Sequence, residues 1–234
     1  MDFSSVLYGA LGFLPGIVWL FFFLQEDSKR AEPKNLIATT FLWGGLATFV
    51  VLPLQIAARY FLLAGGIADG NWLHVTVLAT IEEILKFFAV YFWISSRKEF
   101  DEPIDAMIYM VVAALGFTTV ENVATVLRAT SAPELLTLRF IGATLLHALA
   151  SGIVGYYWSR GIIRRKVLTY VLGGLFIASV FHSIFNYLMV MWGPSLRVTG
   201  LLILLAFVVL RDFEELKKPS EEEGFLKGRA ATGA

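Results

Sequence analysis

Between Trp72 and Ile94 a continuous apolar stretch is broken at its middle by Glu82, Glu83 and Lys86. A run of about 20 apolar residues matches a hydrocarbon core about 30 Å thick, and hydrocarbon offers a carboxylate no water. Ionisable groups at that depth are costly, so by default they mark a functional site whose partners lie on neighbouring helices. Each glutamate must be protonated, paired, or facing a wet cavity. This requirement restricts the chain to a helical bundle with a polar interior at one level.

Composition agrees with a bundle of that kind. The 234 residues are 57% apolar with no formal net charge and no cysteine, and the mean hydropathy is +0.71. The chain reads as an all-α polytopic membrane protein whose partner is the lipid bilayer, with no sign of a nucleic-acid partner. Lack of cysteine removes disulfides, thiol nucleophiles and cysteine-rich zinc sites. Met1 to Ser5 contain no basic residue, so the first apolar run reads as a retained helix and not a cleaved signal.

Hydropathy and turn residues predict about seven transmembrane helices, over 6–24, 36–64, 72–94, 104–127, 140–158, 167–191 and 196–210, with a kink at Pro53. Residues 1–210 form the bundle, and 211–234 read as a charged, mobile cytoplasmic tail. The first, third and fifth loops and the tail hold 14 of the 19 Lys and Arg residues; the other side holds Arg59, Arg128, Arg139 and Arg197, and Lys86 lies mid-helix. Positive residues collect on the cytoplasmic side. The N-terminus is therefore expected outside and the C-terminus inside a plasma membrane. At 1.5 Å per residue, Glu82 lies about 15 Å from the outer end of its helix, Glu121 about 9 Å, His147 about 10 Å and His182 about 13 Å. Helices three to six thus bring ionisable side chains to one slab in the outer half of the bilayer.

The chemistry follows from these residue types. Glu82 and Lys86, at i and i+4, are expected to pair on one face, with Glu83 about 100° away. Glu121 and Asn122 add a third carboxylate and an amide. His147 sits among Ala143, Thr144, Ala148 and Ser151, small residues that leave room for a cavity or for close helix approach. His182 and Asn186 lie one turn apart and suit a developing oxyanion. Carboxylates with imidazoles can activate a water. The same groups are suitable zinc ligands. There is, however, no His-Glu-x-x-His helix, and every candidate ligand comes from a different segment. No cofactor is expected, with zinc left open.

Glu82-Glu83-x-x-Lys86, Phe117-x-x-x-Glu121-Asn122, His147 and His182-x-x-x-Asn186, in that order on four successive helices, resemble the PrsW family of intramembrane glutamic proteases. That family is related to CAAX prenyl endopeptidases and bacteriocin-processing proteins. The resemblance covers helices three to six. It implies a peptidase in which Glu82 or Glu83, with His147 and Glu121, handles the water, while His182 and Asn186 polarise the carbonyl. Lys86 and Glu121 stand where the CAAX branch carries arginine, one residue later, and histidine, which argues against prenylated substrates. It also implies a membrane-protein substrate, single-span, of the kind cut at site 1 in anti-sigma factors.

Blander readings accompany each residue. The Glu82 and Lys86 pair would equally fix helix register, and His182 with Asn186 would serve as interhelical hydrogen-bond glue. His74, one turn from the outer boundary, reads as interfacial, and Gly152, Gly155, Gly173 and Gly174 as packing contacts. Buried Glu, Lys and His also mark proton pathways, so a proton-coupled transporter or channel is the alternative function, although no inverted repeat is evident. A catalytically inert scaffold is the third reading.

Overall fold

The computed structural model describes residues 3–26, 30–127 and 132–232. Met1 and Asp2, and the loop charges Lys29 and Arg128 counted above, lie outside the described residues. Within those residues the chain is all-helical: α1 (Phe3–Leu11), α2 (Leu14–Leu24), α3 (Lys34–Ala64), α4 (Trp72–Ile94), α5 (Asp105–Val126), α6 (Ala132–Ile141), α7 (Ala143–Ile163), α8 (Val167–Trp192), α9 (Leu196–Leu216) and α10 (Pro219–Thr232).

Helix α5 is the centre. Its residues 105–119 are buried without interruption, as expected of a helix apolar on all faces. It packs on α3 and α7; α7 packs in turn on α8, and α4 closes the ring against α3 and α8. Glycine makes the closest of these crossings possible. A Cβ on Gly44 would overlap the Ala113 carbonyl, and one on Gly116 would overlap the Phe41 carbonyl, so α3 and α5 meet backbone to backbone. At Gly155 a Cβ would come within 2.6 Å of Met107 Cα on α5.

Among the described residues, five segments are long and apolar enough to cross a membrane: Leu7–Leu24, Lys34–Ala64, Asp105–Val126, Thr137–Ile163 and Val167–Trp192. With the site's chemistry set aside, α4 has the length at 23 residues but carries Glu82, Glu83 and Lys86. Length and composition thus give five candidate spans against the seven expected. Three expected boundaries also change. The first helix breaks at Gly12 and Phe13 into α1 and α2, because Pro15 in the first turn of α2 has no N–H to continue the ladder. Part of the loop expected between the fourth and fifth helices is α6. Residues 211–216 and 219–232, where the charge pattern suggested a mobile tail, are helical. α9 runs on to Leu216 and buries Phe213, and α10 buries Phe225 edge-on against Phe100 with centroids 5.5 Å apart.

The first, third and fifth loops and the C-terminal helices gather at one end of the bundle. Arg30 bridges Glu102 at 3.2 Å and Glu222 at 3.0 Å, and Arg160 reaches Glu221 at 2.7 Å. Arg229 donates to the carbonyls of Phe100 and Arg97. The α3–α4 turn, with the Arg59 and Asp69 ion pair, lies at the other end of α4.

Candidate active site

Asn71 caps α4 by accepting from the Leu73 N–H at 2.9 Å, and Gly70 before it takes φ +78°, a conformation open to glycine. From that start α4 carries Glu82 and Glu83 into the bundle on two different bearings. Both are buried, with relative exposures of 7% and 0%. Glu83 faces α7 and α8: its Oε1 lies 2.6 Å from Lys86 Nζ and 2.7 Å from His182 Nδ1, and its Oε2 is 3.4 Å from Ser151 Oγ. Glu82 turns toward α3, where Gln55 Nε2 donates to its Oε1 at 2.6 Å.

The lysine therefore pairs with Glu83 at i+3, which corrects the expected pairing with Glu82 at i+4. Both spacings put a lysine within reach. What decides between them is α7, whose His147 Nδ1 approaches Lys86 Nζ at 3.2 Å, and α5, whose Phe117 ring lies 5.4 Å from the ammonium.

His147 Nε2 reaches Glu121 Oε2 on α5 at 3.1 Å. Arg139 on α6 closes that side, with Nη2 3.4 Å from the same oxygen and Nε donating to Asn122 Oδ1. Asn122 also donates to Thr144 Oγ1 at 3.1 Å, so it braces α5, α6 and α7 and stands outside the glutamate and histidine contacts. The rings of His147 and His182 meet edge to face with centroids 4.8 Å apart.

Tautomers follow from these partners. The Glu83 carboxylate accepts, so His182 carries its proton on Nδ1 and presents a lone pair at Nε2. That lone pair lies 3.6 Å from Glu82 Oε2, a buried oxygen with no hydrogen-bond partner. His147 Nδ1 is 3.9 Å from the same oxygen. Acceptors facing one another in a buried place call for a donor or a cation between them.

Glu82, His147 and His182 offer three ligand atoms within 4.8 Å of one another. Glu83 and Glu121 each hold the other nitrogen of one histidine, the arrangement that orients metal-bound imidazoles. The residues therefore fit a divalent metal, and the contact of Lys86 on His147 Nδ1 is the one that binding would displace. The expectation of no cofactor had left zinc open, and the structure brings the candidate ligands together from α4, α7 and α8.

Glu82 also opens onto a cavity of about 440 Å³ between α3, α4 and α8, lined by Gln55, His74, Leu78, Asn186 and Met189 among others. Asn186 is half-buried there, one turn beyond His182. His74, expected near the outer boundary, is 4% exposed, with Nδ1 3.1 Å from Asp69 Oδ1. The Arg59 guanidinium, hydrogen-bonded to Asp69, holds that carboxyl below the usual carboxylate range. Gln55, Arg139 and His74 are the site residues that reading the sequence missed. Gln55 carried a signal, as the one amide between residues 36 and 64; Arg139 looked like an ordinary loop charge.

The family model described as PrsW family intramembrane metalloprotease matches residues 32–211. "Protease PrsW" of Geobacillus kaustophilus is 30% identical over 224 residues, covering 94% of this chain and 93% of that relative. Its namesakes in Halalkalibacterium halodurans and Bacillus subtilis are 28% and 27% identical, over 80% and 76% of this chain and 85% and 80% of their own lengths. No solved structure matches.

Proposed function

Because the chain belongs to the PrsW family of intramembrane proteases, we propose that it is an endopeptidase whose hydrolytic water sits between Glu82, His182 and His147. As a membrane-embedded peptidase it acts on a protein substrate from within a lipid bilayer. The single observation that carries the mechanism is the unpartnered Glu82 Oε2 facing the His182 Nε2 lone pair at 3.6 Å. A water there donates to either acceptor, and its oxygen is left free to attack a carbonyl.

His182 Nε2 takes the proton of the attacking water, which Glu82 Oε2 orients by accepting its other hydrogen bond. Glu83, held by Lys86, keeps His182 oriented and stabilises the imidazolium that results. Asn186, beside the same cavity, donates to the developing oxyanion, and His182 joins it once protonated. The proton then passes from Nε2 to the leaving amine. His147 and Glu121 form the second wall, with Arg139 holding Glu121. A divalent metal bound by Glu82, His147 and His182 would supply a Lewis acid that makes water nucleophilic at neutral pH.

The substrate in this reading is a single-span membrane protein cut near the outer leaflet, site-1 cleavage of an anti-sigma factor being the case that the resemblance implies. Seven membrane passages with the N-terminus outside and the C-terminus cytoplasmic go with it, supported by the gathering of the basic loops at one end of the bundle. Liposomes containing the purified protein and single-span substrates test it. Glu82→Gln, Glu83→Gln and His182→Ala should each lower cleavage at least a hundredfold; unchanged cleavage in all three removes the mechanism.

A further inference from the structure

The outer end of the cavity holds a polar group that the hydrolytic water does not use. His74 is buried, and its Nε2 has no hydrogen-bond partner. Its other nitrogen is engaged, with Asp69 Oδ1 at 3.1 Å and the Ala68 carbonyl at 3.3 Å. Asp69 is fixed in turn by Arg59, whose Nη2 lies 2.5 Å from Oδ2. Two acceptors on Nδ1 place the single proton of the neutral imidazole there, and in that form Nε2 is an acceptor. Ala68 and Asp69 of the α3–α4 turn, with Arg59 of α3, thus hold a buried lone pair in one orientation beside a cavity, and leaving such a group unsatisfied is costly.

His74 and Glu82 line the same cavity from one helix. Eight residues of α helix separate them, or about 12 Å at 1.5 Å per residue. An extended chain advances about 3.3 Å per residue, so the same span holds three or four substrate residues. The walls between them are largely apolar, with Val75, Leu78, Met189 and Val190, while Gln55 and Asn186 add amides. A lone pair in a largely apolar cavity selects a hydrogen-bond donor, and the donor that every polypeptide carries is its backbone N–H.

We propose that His74 is a substrate-binding residue, its Nε2 accepting a hydrogen bond from a backbone N–H of an extended substrate segment, three or four residues outward from the scissile bond. This rests on the peptidase reading of Glu82 and extends it to how the chain is held. The turn 68–71 is then part of the substrate site and not a mere connection.

The test uses the full chain in detergent, a single-span reporter whose cut has been mapped, and synthetic peptides spanning that cut. One peptide reaches six residues outward, one stops two residues outward, and a series carries one backbone N-methyl each. His74→Phe, which keeps ring volume but removes the acceptor, should raise KM for the long peptide about three- to tenfold with the effect on KM and not on kcat. The short peptide should not distinguish the variant from the wild type. N-methylation at the third or fourth outward position should raise KM for the wild type and add nothing in His74→Phe. His74→Gln, which restores an acceptor, should recover most of the loss. An unchanged KM for the long peptide, an equal rise for the short one, or indifference to every N-methyl overturns the assignment. Lack of cleavage by the wild type, equal to Glu82→Gln, overturns the peptidase reading itself before any effect of His74 is read.

Discussion

Gln55 on α3 holds Glu82 on α4 by a single amide, its Nε2 2.6 Å from Glu82 Oε1 and 3.3 Å from the Leu78 carbonyl. Both amide protons are thereby spent, and the other carboxylate oxygen is left facing His182. Gln55→Leu should leave the fold intact and lower kcat about ten- to a hundredfold, the range for a hydrogen bond to a charged group, with a smaller change in KM. Steady-state kinetics on one peptide measures the split. A change confined to KM would make Gln55 a wall of the cavity and no more.

The neighbouring glutamates, both needed for activity, should separate in stability. Glu83→Gln strands the Lys86 ammonium, which is wholly buried, and breaking such a pair costs about 3–5 kcal/mol. Glu82→Gln strands no cation and should keep the melting temperature near that of the wild type while abolishing cleavage. Glu83→Gln combined with Lys86→Met should regain stability without regaining activity. Thermal unfolding in detergent compares the three, and equal melting of both single variants contradicts the assigned pairing.

Metal removal distinguishes the two ways of activating water. With Glu82, His147 and His182 within reach of one ion, loss of cleavage on chelation and its return with added Zn²⁺ would make these three residues metal ligands and take His182 Nε2 out of its proton-accepting role. Elemental analysis should then find about one metal per chain, lost in His182→Ala. Full activity in metal-free protein would leave the water to Glu82 and His182 alone.

The C-terminal helix supplies a prediction independent of the site. Phe225 is fully buried on Phe100, and truncating a buried phenylalanine costs about 3–5 kcal/mol. Phe225→Ala should release α10 without unfolding the bundle. Limited proteolysis around Lys217 and Lys218 should then accelerate, with cleavage of substrate retained. Unaltered proteolysis would mean that Arg229 and Glu222 hold the helix without the aromatic contact.

What could be read from the residues alone was set by cost. Charge inside hydrocarbon is expensive enough that Glu82, Glu83, Glu121, His147 and His182 identified themselves, and the helical rise placed them at similar depth before any contact was known. The span of α4, Trp72–Ile94, followed from the same apolar run. Partnership was another matter. Lys86 reaches either glutamate by helix geometry, and only the arrival of His147, Ser151 and Phe117 from α5 and α7 selects Glu83. Gln55, His74 and Arg139 joined the site from a long helix, a helix end and a supposed loop, where a neutral amide or a single charge carries little penalty in one dimension. The metal-capable trio has no linear spacing because three helices supply one ligand each. Sequence thus determined which groups must find company, since burial energy belongs to each residue; tertiary structure decided which company, since pairing depends on how the helix axes cross.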